Sequence, residues 1–187
     1  METTLSGAGR PARRMLTGLA IAVTAALAAL SPAHSPAFAG TVSEDTALDV
    51  RWTGPGGAVL AERRLDRAAL DALPQAEIRT ETPWTTGPQT FAGPSLATLA
   101  GLAALPGHPV TDALVVAIND YSATIPATDW QARTVVLASR HNGQPMRVRE
   151  NGPYWVVYPL SGEPALNTQA YHARMVWQVN AITFNCR

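Results

Sequence analysis

Lysine is absent from the 187-residue sequence; all 14 basic residues are arginine, balanced by 14 acidic residues to a formal charge of zero. The abundance of Ala, Pro and Gly beside them marks a GC-rich coding bias rather than a use of arginine for function. Cysteine occurs once, as Cys186 near the C-terminus, which excludes an internal disulfide even in an oxidising compartment. Cys186 reads as an inert tail residue, with a free thiol or an intermolecular bridge as the alternatives. There is no G-x-S-x-G elbow, which excludes a hydrolase triad of that type. His108, His141 and His172 lie far apart with no close-spaced pair and no nearby cysteine, which argues against a zinc or copper site. No positive excess is present, so neither nucleic acid nor an anionic membrane is expected as a partner.

Long hydrophobic runs are equally scarce. Only residues 15–30 form one, and it follows Arg10, Arg13 and Arg14 and precedes the small-x-small site Ala37-Phe38-Ala39. That order is the pattern of an export signal, with cleavage expected before Gly40. The run has 16 residues, short of the roughly 20 that a membrane span needs. No stable membrane span is expected after cleavage, with an uncleaved anchor as the alternative. Arg13-Arg14 followed by Met15-Leu16 suggests the twin-arginine route, against an ordinary signal containing two arginines. The expected division is a signal peptide over residues 1–39 and one domain over residues 40–187, in the periplasm or secreted. Removing the signal leaves 11 basic and 13 acidic residues, a formal charge of −2. A chain of 148 residues can bury roughly two-thirds of its unfolded surface and needs no covalent staples.

Within residues 40–187 the pattern is of short strands broken by turns. Residues 47–52 alternate in part, Gly54-Pro55-Gly56-Gly57 is a turn, and residues 58–62 pair back as a hairpin. Asp66 precedes a short helix ending at Pro74, and residues 76–82 read as a strand. Ser95 caps a helix over residues 96–104, with Leu96, Leu99, Ala100 and Ala103 on one face. Residues 113–118 and 134–139 are apolar enough for buried strands, with a strand at residues 121–125 and a helical turn at Asp129-Trp130 between them. Asn142-Gly143 is a tight-turn signal, and Asn151-Gly152-Pro153 is a second turn before a strand at residues 155–158. Residues 174–184 close the domain as a long strand or a bent strand pair. The fold class expected is α+β: a single domain of mixed short sheets with a few short helices.

Four motifs stand in order along this domain: a tryptophan-containing strand, F-A-G-P-S-L at residues 91–96, N-D-Y at residues 119–121 before P-A-T-D at residues 126–129, and V-L-A-S-R-H-N-G-Q-P-M at residues 136–146. In that order they resemble the molybdopterin-binding oxidoreductase domain of the sulfite oxidase type, in its small exported bacterial form. The resemblance covers residues 65–184 and implies a molybdopterin cofactor, an oxidoreductase activity and a periplasmic redox or sensor partner. It also implies a molybdenum-ligating cysteine in the loop before the F-x-G-x-x-L helix. Here that loop is Thr80-Glu81-Thr82-Pro83-Trp84-Thr85-Thr86, and a threonine does not replace a soft thiolate. An arginine gripping the pterin phosphate is implied after the second turn; matching Pro153 and Pro159 puts Trp155 there.

The residues left as candidate cofactor or ligand contacts are Asn119, Asp120 and Tyr121 after a buried strand, His141, Asn142 and Arg147 in and after a hairpin, and Trp84 and Trp155 as stacking platforms. Each has a structural alternative: turn chemistry for the first three, a solvated basic hairpin for the second three, core packing for the tryptophans. Two functions follow. One is a molybdopterin-dependent oxidoreductase acting on a small periplasmic substrate. The other is a binding module that kept the fold and lost the metal, taking a small anion or pterin-like ligand.

Overall fold

Leu48, Val50 and Trp52 are buried while Asp49 and Arg51 between them are exposed. This period of two is that of a strand with one face on a core. The structure, a computed structural model, describes residues 47–187. The expected signal segment, its cleavage site and its twin arginines lie outside the described residues.

In chain order the elements are β1 (Leu48–Thr53), β2 (Val59–Leu65), α1 (Arg67–Asp71), β3 (Gln75–Thr80), β4 (Gln89–Pro94), α2 (Leu96–Ala100), β5 (Val110–Ala117), β6 (Ser122–Pro126), α3 (Ala127–Ala132), β7 (Val136–Ala138), β8 (Arg140–His141), β9 (Gln144–Pro145), β10 (Trp155–Val157), α4 (Gln169–Arg174) and β11 (Val179–Cys186). They form a five-stranded sheet of order β2-β1-β11-β5-β6, a two-stranded sheet β10-β7 and a four-stranded sheet β3-β4-β8-β9. Among the described residues only β1 and β11 run parallel; every other strand pairing there is antiparallel. The architecture is α+β, with several short sheets and few short helices, as the sequence implies.

One hydrophobic core joins the sheets. Trp52 stacks on Phe184 at 5.6 Å and donates its indole N–H to the Ala100 carbonyl at 3.0 Å, tying the five-stranded sheet to α2. Trp130 on α3 meets the same Phe184 edge-on at 6.1 Å.

The F-A-G-P-S-L motif has a packing reason. Phe91 is fully buried. A Cβ on Gly93 would sit 2.1 Å from the Leu137 carbonyl oxygen, so β4 can approach β7 only without a side chain there. Ser95 then accepts the Thr98 N–H at 3.0 Å and caps α2. Asp66 does the same for α1, accepting from Ala69 N–H at 2.7 Å.

The Asn142-Gly143 turn joins β8 to β9 with φ of 50° and 77°, the primed-turn geometry that this dipeptide favours. The Gly152–Pro153 peptide is cis. Two elements differ from expectation. In β5, Ala113, Val115 and Ala117 are buried while Leu114 and Val116 are half-buried, because the strand presents only one face to the core. Residues 169–174, which carry no strong helical signal, form α4. The closing segment then bends at Gln178, φ 54°, before entering β11.

Candidate functional site

The loop after β3 is shaped by its threonines. Thr82 is buried; its hydroxyl accepts the Trp84 N–H at 3.2 Å and shares a 2.9 Å hydrogen bond with the Thr85 hydroxyl. Thr80 and Ser161 tie the loop's base to the segment after β10: the Ser161 N–H donates to the Thr80 hydroxyl at 2.9 Å and the Glu81 N–H to the Ser161 hydroxyl at 2.8 Å. These local bonds are the turn chemistry of Ser and Thr. They leave Trp84 projecting at 42% exposure.

Trp84 meets Trp177 edge to face at 5.0 Å, Trp155 at 5.9 Å and His172 at 6.0 Å. The opposite wall comes from the β5–β6 turn. There Asp120 takes φ 64°, the Ala117 N–H donates to the Tyr121 carbonyl at 2.8 Å, and the Asn119 side chain accepts the Tyr121 N–H at 3.2 Å. The Tyr121 hydroxyl donates to the Ala173 carbonyl at 2.9 Å, closing the wall onto α4. The result is a largely apolar cleft of about 370 Å³ whose walls include Trp84, Asn119, Tyr121, His172, Met175 and Trp177. A second hollow of about 440 Å³ adjoins it through His172 and is lined by Glu81, Thr82, Ser161 and Asn167 as well.

Behind the cleft, α4 is fixed by a buried carboxylate. Asp129 on α3 is 5% exposed and accepts from the Tyr158 hydroxyl and from Arg174, each at 2.8 Å. Tyr171 lies beneath the Arg174 and Arg133 guanidiniums, at 5.1 and 6.0 Å, and packs on Tyr158. Arg133 is itself held by Glu163 at 3.0 Å. Burial, then the bond to Asp129, pushes the Tyr158 hydroxyl well above its ordinary range.

Of the residues singled out from sequence, Trp84, Asn119 and Tyr121 line the cleft together. Trp155 is not a lining residue but packs behind the lining rings: it is 1% exposed, donates to the Met175 carbonyl at 3.0 Å and meets Trp84 at 5.9 Å and Trp177 at 6.3 Å. Asp120 occupies the exposed turn itself and is not a lining residue. His141 stacks on Phe91 at 4.8 Å, and Phe91 in turn meets Trp155 at 5.3 Å, so two rings separate the imidazole from the cleft. Burial lowers the His141 pKa.

Asn142 holds the hairpin, accepting the Thr90 N–H at 2.9 Å and donating to Gln89 at 2.6 Å. Arg147 is exposed and lies outside the lining of both hollows. Sequence reasoning did not single out Gln169, Met175 or Trp177, and it weighed His172 only as a metal ligand. The W-Q pair next to the closing strand was the available signal for Trp177.

The donor set does not fit thiolate-held molybdenum. The loop offers threonines. Cys186 sits on β11, buried, with its thiol pushed up by burial and directed to the Phe184 carbonyl at 4.0 Å, away from the lining of either hollow. Among the described residues no group of three His, Cys, Asp or Glu side chains could hold a metal ion. No arginine lines the cleft or the adjoining hollow to receive a pterin phosphate.

No model of a known protein family and no curated protein sequence matches the chain. Among solved structures, the sulfane dehydrogenase SoxCD from Paracoccus pantotrophus is similar to it, with a TM-score of 0.56 and 15% identity over 75% of this chain. The chain corresponds to 38% of the length of that one. At this identity the likeness shows the fold alone, and it agrees with the sulfite-oxidase-like fold implied by the ordered motifs.

Proposed function

We propose that this protein is an exported domain that binds a small organic ligand, built on a sulfite-oxidase-like fold and working without thiolate-held molybdenum. The observation that carries the reading is one of replacement. Trp84 stands in the loop where the resemblance implies the thiolate, and Trp155 stands where it implies the arginine. Trp84 now lines the cleft, and Trp155, packed against Trp84 at 5.9 Å and Trp177 at 6.3 Å, supports its wall from behind. A concave, mostly apolar site with a few convergent polar groups is the usual form of a small-molecule site, and Asn119, Gln169 and His172 supply those groups here. Export rests on the signal pattern of residues 1–39, and a periplasmic sensor or redox protein is the expected macromolecular partner. A second reading, a molybdopterin-dependent oxidoreductase, is favoured by the fold likeness to a dehydrogenase; the donor set at the cleft opposes it.

The five indole N–H groups of the protein make a direct test. A library of small organic fragments is titrated into the labelled protein and the indole resonances are followed by NMR. The reading predicts that hits move Trp84 and Trp177 while Trp52 and Trp130, which pack on Phe184 and do not line the cleft, stay still. Hits that move only other resonances, or a library without hits, would contradict it.

A further inference from the structure

We propose, on the basis of that binding reading, that the ligand is an organic cation: a small quaternary or trialkyl ammonium compound. The first argument is shape. Trp84 and Trp177 lie 5.0 Å apart at 76°, and His172 stands at 70° to Trp84. Tyr121, 48% exposed, adds a further ring to the same cleft. A flat ligand stacks on one ring plane at a time. A rounded ammonium group set in a corner of near-perpendicular rings touches several at once, which is the arrangement by which aromatic cages hold such cations.

The second argument is charge. The cleft lining contains no Arg, Asp or Glu, and the hollow that shares His172 with it adds one charged residue, Glu81, and no arginine. Glu81 is exposed, and its carboxylate has no ion-pair partner among the described residues. Two arginines near the cleft are committed elsewhere, Arg174 to Asp129 and Arg133 to Glu163. An anion entering the cleft would meet no guanidinium fork, the usual device for carboxylate or phosphate. A cation would meet aromatic faces and, at the edge, an unpaired carboxylate. Arg147, the arginine singled out from the sequence as a candidate contact for an anion or cofactor, lies outside this site.

The test uses the exported chain, purified after expression with its own N-terminal segment, and calorimetric titration at about pH 8. The probes are choline, its neutral isostere 3,3-dimethylbutan-1-ol, and inorganic phosphate. Choline is expected to bind roughly tenfold more tightly than the isostere, and phosphate not at all. Trp84→Leu keeps an apolar surface and removes the ring face, so it is expected to reduce choline affinity to that of the isostere. Glu81→Gln, at an exposed position, is expected to weaken choline several-fold and leave the isostere unchanged. Equal binding of choline and isostere, or binding of phosphate in place of choline, would overturn the cation and leave the cleft as a ligand site. Binding of none of the three would also overturn the cation, and the indole NMR screen then judges the ligand site separately.

Discussion

Trp84 and Trp177 meet edge to face, with ring centroids 5.0 Å apart and planes at 76°. They are 93 positions apart in sequence and come from a loop and from the bend before the last strand. Two contrasting roles for tryptophan follow within the same cluster. Trp155 is 1% exposed and Trp84 is 42% exposed. Trp155→Ala is expected to cost about 3–5 kcal/mol in urea unfolding, as for other large-to-small core changes. Trp84→Ala is expected to cost about 1 kcal/mol or less while weakening ligand binding at the cleft.

The glycines on either side of α2 separate just as sharply. Gly93→Ala drives a Cβ to 2.1 Å from the Leu137 carbonyl oxygen, a backbone atom that cannot yield without parting β4 from β7. It is expected to lose several kcal/mol, roughly at the severe end for single substitutions, and to cut folded yield. Gly101→Ala meets nothing within 4 Å and has an ordinary helical φ of −76°. It is expected to be neutral or to stabilise by about 0.4–1 kcal/mol through the unfolded state. Thermal denaturation of the two variants side by side checks both.

Asp129 is the hinge pin between α3 and α4. Asp129→Ala leaves the Tyr158 hydroxyl and the partly buried Arg174 without their shared acceptor. The expected cost is about 3 kcal/mol, with Asp129→Asn less costly because one acceptor remains. Hydrogen exchange is expected to show α4 losing protection before the five-stranded sheet does.

His141 gives a pH dependence with a definite sign. Burial against Phe91 lowers its pKa in the folded chain, while the unfolded chain titrates near the ordinary value of about 6.5. The stabilisation is therefore present above about pH 6.5 and is lost as pH falls through the lower, folded value. Unfolding free energy is expected to fall as pH drops below about 6.5, and His141→Gln is expected to flatten that part of the profile. A slope unchanged by the substitution would assign the effect to other groups.

Much of the fold was legible because its signals are local. Period-two burial marked β1, capping side chains marked α1 and α2, and Asn142-Gly143 marked the β8–β9 turn by the positive φ that those residues tolerate. α4 was not legible: six residues, Gln169–Arg174, with no fully buried side chain and no side-chain cap, carry almost no amphipathic signal and are held by Asp129 from a distant helix. The site was half legible for the same reason. Asn119 and Tyr121 follow a strand end and Trp84 sits in a motif-flanking loop, so each could be picked out alone. That they share a cleft with His172 and Trp177, while His141 and Arg147 do not, depends on how three sheets meet, and no local pattern encodes that.

The most direct measurement is the molybdenum and pterin content of the protein, exported with its own signal from a bacterium that makes the cofactor and analysed by elemental mass spectrometry and pterin fluorescence. The account predicts neither molybdenum nor pterin in the purified chain. Near one molybdenum per chain would contradict it, and would mean that the tryptophan-walled cleft is not where this protein's chemistry lies.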